Sequence, residues 1–137
     1  LLTDPELDDA LTLCVCVLSD EHLVFSASRQ DAYLRQASGA LIELKGSRLG
    51  LNRMYEDSNV TFENQIYEVN AGSKLILFTD GVTDQFGGDK GKKVTKKGLA
   101  NWIKTSQNEG WSLAQRWHEW KSQHAQVDDM TLLEISL

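Results

Sequence analysis

The first half of the chain alternates short apolar runs with polar turns, and this pattern predicts β-strands joined in hairpins. Residues 10–18, ALTLCVCVL, are apolar at nearly every position, which is typical of a strand covered on both faces. A turn at 19–21 precedes the predicted return strand at 22–27. A second predicted hairpin joins 33–35 to 41–44, and residues 45–59 are a predicted loop because they carry glycines and mixed charge.

Strand patterns continue to residue 79 and then give way to a helical period. Residues 60–63, 66–69 and 74–79 are predicted strands, the last of them apolar on both faces. Residues 86–97 hold three glycines and five lysines, which predicts a solvated loop.

Two helices and a final strand are predicted after that loop. Thr95 can cap the first helix, and Ser112 with Gln115 forms a capping-box pattern for the second. The four tryptophans between residues 102 and 120 are expected to pack these helices onto a sheet. The apolar faces of the two helices comprise Leu99, Trp102, Ile103, Leu113, Trp117 and Trp120. Residues 130–137 are a predicted strand, so the order of elements predicts a layered α+β domain.

Composition narrows the class of protein. The 137 residues fit one domain, and 20 acidic against 14 basic residues give a net charge of -6, which argues against a nucleic-acid partner. The longest apolar run is too short to span a membrane. Cys14 and Cys16 cannot form a disulfide framework, and their spacing predicts two small buried groups on one face of a strand in a reducing compartment.

Two acidic pairs lie at the ends of predicted strands. Asp80-Gly81 follows the strand at 74–79, and Asp128-Asp129 precedes the final strand. If these strands are neighbours, both pairs lie at one edge, where carboxylate oxygens favour Mg²⁺ or Mn²⁺ over zinc. Gly81 would allow a close backbone approach and offer its carbonyl as a further ligand. The alternative is that all four are turn residues.

Three segments in this order resemble the type 2C metal-dependent protein phosphatases, in particular the bacterial SpoIIE/RsbU-like branch. They are residues 49–51, residues 69–84 with Thr-Asp-Gly, and residues 128–131 with Asp-Asp-Met-Thr. The resemblance implies an αββα sandwich of mostly antiparallel strands that holds two Mn²⁺ or Mg²⁺ ions. It also implies hydrolysis of phosphoserine or phosphothreonine by metal-activated hydroxide. Asp80 and Asp128 would be metal ligands, with the Gly81 carbonyl and Asp129 as weaker candidates.

The chain departs from the family pattern at three places. The Gly-Asp-Val-x-Gly-His segment has no counterpart, residues 26–29 replace an Ala-Gly-His/Asn stretch, and Ser73 replaces an aspartate. We therefore expect residues 1–137 to be the C-terminal portion of one phosphatase domain, without its early strands and helix pair. In that case the apolar side chains of 11–18 and 75–78 would face water on one side.

The function implied by the resemblance is that of a metal-dependent serine/threonine protein phosphatase in a bacterial signalling regulator. Its substrate would be an anti-anti-sigma-type phosphoprotein. A cytoplasmic location, a homodimer, and a membrane anchor or sensor domain in the parent protein are further expectations. The alternative function is that of a catalytically inactive pseudo-phosphatase or a partner-switching protein-binding module.

Overall fold

A computed structural model describes residues 11–51, 61–110 and 112–137, and these fold into two compact units. The first unit contains residues 11–31, 45–51 and 61–68, and the second contains 32–44, 69–110 and 112–137. The elements are β1 (Leu13–Leu18), β2 (His22–Ser28), β3 (Ala32–Arg35), β4 (Leu41–Leu44), β5 (Gln65–Glu68), β6 (Lys74–Phe78), α1 (Asp80–Asp84), β7 (Phe86–Gly87), β8 (Lys92–Lys93), α2 (Thr95–Glu109), α3 (Leu113–Lys121) and β9 (Leu132–Ser136). All strand pairs between these elements are antiparallel, so the prediction of an α+β fold is confirmed.

The first unit has a three-stranded sheet in the order β1-β2-β5. Its inner face is apolar, since Leu23 and Phe25 of β2 are fully buried. The opposite face of β1 is open: Leu13, Val15 and Val17 are 44%, 50% and 60% exposed. The prediction that this strand is covered on both faces is therefore wrong for one face. A strand is predicted at 60–63. Residues 61–63 are irregular in the structure, and residue 60 lies outside the described residues.

The second unit has a four-stranded sheet in the order β4-β3-β6-β9. Leu75 and Ile76 of β6 are fully buried and Phe78 is 5% exposed, so the expectation that 75–78 faces water is wrong. One side of the sheet is covered because Tyr33, Ile76 and Phe78 share a single hydrophobic cluster with the helices. The helical members of this cluster are Val82, Leu99, Trp102, Ile103, Leu113 and Trp117, with Val94 next to the helix start.

The helix ends follow the sequence signals. The Thr95 hydroxyl accepts a hydrogen bond from the N–H of Gly98 (3.2 Å), and Ser112 with Gln115 forms the predicted capping box. Trp102 and Trp117 are buried as predicted, whereas Trp111 lies outside the described residues. No helix in the described part of the chain is long and apolar enough to cross a membrane.

Residues 86–97 differ from the solvated loop that their composition predicts. They contain the small hairpin β7–β8 and the first residues of α2. Gly87 is buried, and a Cβ built on it would lie 2.0 Å from the carbonyl oxygen of Trp120. The hairpin is thus held against the end of α3, a contact that only a residue without a side chain permits.

Candidate functional site

The two acidic pairs are brought together by the pairing of β6 with β9. The register sets Phe78 opposite Leu132, so Thr79-Asp80 leaves the sheet where residues 128–131 enter it. The expectation that these strands are neighbours is confirmed. The short helix α1 begins at Asp80, which the sequence pattern did not predict because five residues are too few to show a helical period.

Thr79 ties the two segments together through three hydrogen bonds. Its backbone N–H donates to the carbonyl of Thr131 (3.0 Å), and the N–H of Thr131 donates to the Thr79 hydroxyl oxygen (2.9 Å). The same hydroxyl donates to the carbonyl of Asp129 (3.2 Å). A side chain that donates and accepts at once fixes the residues on both sides of it, so the backbone at Asp80 and at Asp129 is held in one position.

Gly81 lies directly against the backbone of the second acidic pair. A Cβ built on this buried glycine would lie 2.2 Å from the carbonyl oxygen of Asp129 and 2.9 Å from its carbonyl carbon. No side chain fits in that space, so Gly81 allows the approach that the sequence suggested. In the structure, Gly81 contributes by leaving room for the carbonyl of Asp129.

The side chains of Asp80, Asp128 and Asp129 are exposed at this edge. One oxygen of Asp128, Oδ1, accepts a hydrogen bond from the N–H of Asp129 (2.7 Å), which orients the carboxylate. The carbonyl of Asp80 accepts from the hydroxyl of Thr83 (3.1 Å), within α1. The structure thus brings together Asp80, Gly81, Asp128 and Asp129. The three aspartate side chains are exposed to solvent, and the backbone carbonyl of Asp129 packs against Gly81.

The donor type at this edge suits a hard metal ion, but the number of donors is too small for a complete site. Within residues 11–51, 61–110 and 112–137, no group of three or more His, Cys, Asp or Glu side chains could hold a metal ion. Mn²⁺ and Mg²⁺ prefer oxygen ligands, and Mg²⁺ demands six in near-ideal octahedral geometry. Asp80 and Asp128 therefore offer part of a ligand set.

Sequence reasoning missed the positioning roles of Thr79 and Thr131. A signal was available, because a threonine lies directly before Asp80 and another lies two residues after Asp129. Its meaning depends on the β6–β9 register, which brings together residues 52 positions apart in the chain.

The chain matches the family model described as Stage II sporulation protein E (SpoIIE) over residues 6–137. The comparison with curated proteins gives no match. Solved structures with the same fold include the SiaA-PP2C domain of Pseudomonas aeruginosa, which is 22% identical with a TM-score of 0.71. That alignment covers 86% of this chain and 47% of the SiaA chain.

Two further structures are similar at 16% identity. The PP2C phosphatase domain of SpoIIE from Bacillus subtilis, solved with a fragment of its regulatory domain, has a TM-score of 0.67, and the match covers 93% of this chain and 37% of that one. The Mycobacterium tuberculosis serine/threonine phosphatase PstP/Ppp has a TM-score of 0.59, with 93% and 60% covered. This chain spans less than two thirds of each of these structures. It belongs to the SpoIIE family, and its fold is that of PP2C-type phosphatase domains.

Proposed function

We propose that the chain is the C-terminal part of a metal-dependent serine/threonine protein phosphatase domain that acts in bacterial signalling on an anti-anti-sigma-type phosphoprotein. The observation that supports it best is the joining of Thr79-Asp80-Gly81 to Asp128-Asp129 at one edge of the second unit. Family membership supports the same proposal. In this proposal the parent protein works in the cytoplasm, with or without a membrane anchor or sensor domain.

Asp80 and Asp128 would hold Mn²⁺ or Mg²⁺ through their carboxylates, with Asp129 and the Gly81 carbonyl as weaker contributors. The bound ions would supply Lewis-acid activation of water. One related structure, the catalytic domain of PstP, is described as a complex with 2 manganese ions, which supports manganese as the first metal to test. The contribution of this chain would be to hold two carboxylates near rigid strand ends, a proposal supported by the contacts of Thr79 and Gly81 with the Asp129 backbone.

Residues at two of the three departures from the family pattern have structural roles in this chain. Ser73 is fully buried, and its hydroxyl accepts from the N–H of Asn70 (3.2 Å) in the turn before β6. Ser28 is buried as well and donates to the carbonyl of Leu49 (2.8 Å). Both serines stabilise loops that lead to or from the sheets, so neither substitution disrupts the fold.

A catalytically inactive pseudo-phosphatase or partner-switching binding module is the second candidate. The observation that favours it is the incomplete ligand set: no cluster of three potential metal ligands exists among the described residues. The two candidates differ in whether the parent protein binds Mn²⁺ through Asp80 and Asp128.

The deciding experiment uses the full-length parent protein and its Asp80→Ala and Asp128→Ala variants. We expect Mn²⁺ affinity and phosphoserine-peptide turnover to fall by more than about 100-fold in each variant. Mutation of a residue that only hydrogen-bonds to a metal ligand already lowers affinity or activity about 10–100-fold, and loss of the ligand itself should cost more. Calorimetry measures the affinity, and the melting temperature should change little because both side chains are exposed. Asp129→Ala should have a smaller effect, since Asp129 is the weaker ligand candidate and the substitution keeps the backbone carbonyl that packs against Gly81.

Asp84→Ala is the matched control, because Asp84 is an acidic residue of α1 whose carboxylate forms a surface ion pair with Lys93 (3.3 Å). It should keep both Mn²⁺ affinity and turnover. If Asp80→Ala or Asp128→Ala binds Mn²⁺ and turns over substrate like the unaltered protein, the metal-site proposal is wrong. The four residues are then turn residues, and the binding module becomes the better account.

A further inference from the structure

The first unit carries a pair of thiols that the proposed phosphatase chemistry does not use. Cys14 and Cys16 project from the same face of β1, and their sulfur atoms lie 3.5 Å apart. Neither forms a disulfide, and both are half-buried rather than sealed in the core. The sequence predicted two buried apolar groups, so their partial exposure and direct contact are findings of the structure.

The surroundings of the pair leave it open along one flank. Cys14 faces Ala27 and Cys16 faces Phe25 across the pairing with β2, so the neighbours on that side are apolar. β1 is the first strand of its sheet. Among the described residues, its outer edge is paired only at the isolated bridge between Leu11 and Leu51, before the strand begins. The side chains of Cys14 and Cys16 project onto the inner face of the sheet, and because β1 is an edge strand both remain partly exposed there. A small ion can reach the two sulfur atoms through this exposed part.

The two thiols are within hydrogen-bond distance of each other, and either can act as the donor. This hydrogen bond raises the pKa of Cys14, with burial as a second cause, and the same bond lowers the pKa of Cys16. When one thiol loses its proton, the other can therefore donate a hydrogen bond to the thiolate. A thiolate is the form of cysteine that binds metals.

We propose that Cys14 and Cys16 form a two-sulfur binding site for a soft divalent metal ion of the zinc class. Two thiolates that bind one tetrahedral ion with Zn–S distances of about 2.3 Å lie about 3.8 Å apart. The observed sulfur–sulfur distance of 3.5 Å is close to this, so binding needs only small side-chain rotations. One divalent ion would replace the two S–H protons, which are released to solvent, and the remaining coordination positions would be taken by water.

This site would be chemically distinct from the carboxylate edge. Cys14 and Cys16 belong to the first unit and offer sulfur, whereas Asp80 and Asp128 belong to the second unit and offer oxygen. Thiolate ligands select zinc-class ions and carboxylates select Mg²⁺ or Mn²⁺. The two proposals can therefore fail independently.

The test uses the reduced, tag-free chain and titration with Cd²⁺, whose binding to thiolate gives charge-transfer absorption in the ultraviolet. We expect one Cd²⁺ per chain, displacement by Zn²⁺, and no competition from excess Mg²⁺. Cys14→Ser and Cys16→Ser should each weaken binding at least tenfold. Zn²⁺ should also protect both thiols of the unaltered chain from alkylation, a measurement that needs no variant.

A relocation variant gives the matched control. The double change Val15→Cys with Cys16→Val keeps two thiols but directs them to opposite faces of β1, because side chains alternate along a strand. Circular dichroism checks that each variant is folded. The site is confirmed if this variant binds Cd²⁺ as weakly as the single-cysteine variants. Equal binding by the relocation variant, or no Zn²⁺ protection of the unaltered chain, overturns the proposal.

Discussion

Gly81 is the residue of the candidate site at which the structure leaves no room for a side chain. A methyl group there would lie 2.2 Å from a backbone oxygen, and backbone cannot move aside as a flexible side chain can. We expect Gly81→Ala to lower the free energy of unfolding by about 1–3 kcal/mol. In the full-length parent it should also weaken Mn²⁺ binding, because Asp80 and Asp129 would be pushed apart. Urea unfolding and calorimetry measure the two effects.

Gly98→Ala is the control for this prediction. Gly98 lies in α2, and a Cβ there would be 3.6 Å from the nearest side-chain atom of Val94, an ordinary contact. Alanine favours a helix over glycine, so this variant should gain up to about 1 kcal/mol. If both glycine variants change stability in the same direction, the steric account of Gly81 is wrong.

The sequence pattern identifies which residues lie at the candidate site better than it identifies what each residue contributes there. Asp80, Gly81, Asp128 and Asp129 were singled out from Asp-Gly and Asp-Asp at strand ends, and the structure brings them together. A close backbone approach at Gly81 was predicted, but the identity of its partner, the carbonyl of Asp129, and the hydrogen bonds of Thr79 could not be foreseen. Both depend on backbone atoms of residues about 50 positions away in the chain. A local sequence pattern does not show which distant residues become neighbours in the fold.

The element whose end is most clearly specified is α3. The Ser112 hydroxyl accepts from the N–H of Gln115 (3.1 Å), and the Gln115 side chain accepts from the N–H of Ser112 (2.9 Å). Ser112→Ala should destabilise the chain by about 1 kcal/mol, because one backbone donor at the helix start loses its partner. Thermal unfolding measures this, and Ser112→Asn should restore most of the loss since asparagine is an equally good cap. A Ser112→Asn variant as unstable as Ser112→Ala would contradict the capping explanation.

The main strands and both long helices were predictable because their apolar periods are strong, whereas α1 and the β7–β8 hairpin were not. The hairpin has strands of two residues, and it is held in place by the packing of Gly87 on Trp120, with an exposed ion pair between Lys93 and Asp84 beside it. The contact between Gly87 and Trp120 joins segments that are distant in the chain. From composition alone, the glycines and lysines of residues 86–97 predict a loop and do not reveal the hairpin.

The exposed apolar face of β1 is expected to make the chain self-associate. Leu13, Val15 and Val17 present adjoining apolar side chains to water, and such patches favour association. We expect the isolated chain to self-associate at micromolar concentration and the double variant Val15→Thr, Val17→Thr to do so less. Threonine keeps the branched shape that suits a strand while it adds a hydroxyl. Sedimentation measures the change, and a chain that is monomeric before substitution would refute the expectation.

The isolated 137 residues should also be almost inactive as a phosphatase. Two carboxylates and one carbonyl cannot complete the coordination of two small hard ions, and the described residues contain no larger cluster of ligands. The assay is Mn²⁺-dependent turnover of a phosphoserine peptide, with the full-length parent protein run alongside. Robust turnover by the isolated chain would show that its ligand set is larger than Asp80 and Asp128.

The pairing of β6 with β9 sets an order of events during synthesis. Thr79 leaves the ribosome 50 residues before Asp129, so the contacts of Thr79 with the second acidic segment cannot form until residues 128–131 have emerged. β6 can pair with β3 earlier, but its other edge remains unpaired during that interval. A ribosome that pauses between the two segments would therefore prolong the exposure of a strand edge whose residues are among the most apolar in the chain. Codon usage across residues 85–130 is accordingly expected to affect the yield of soluble protein.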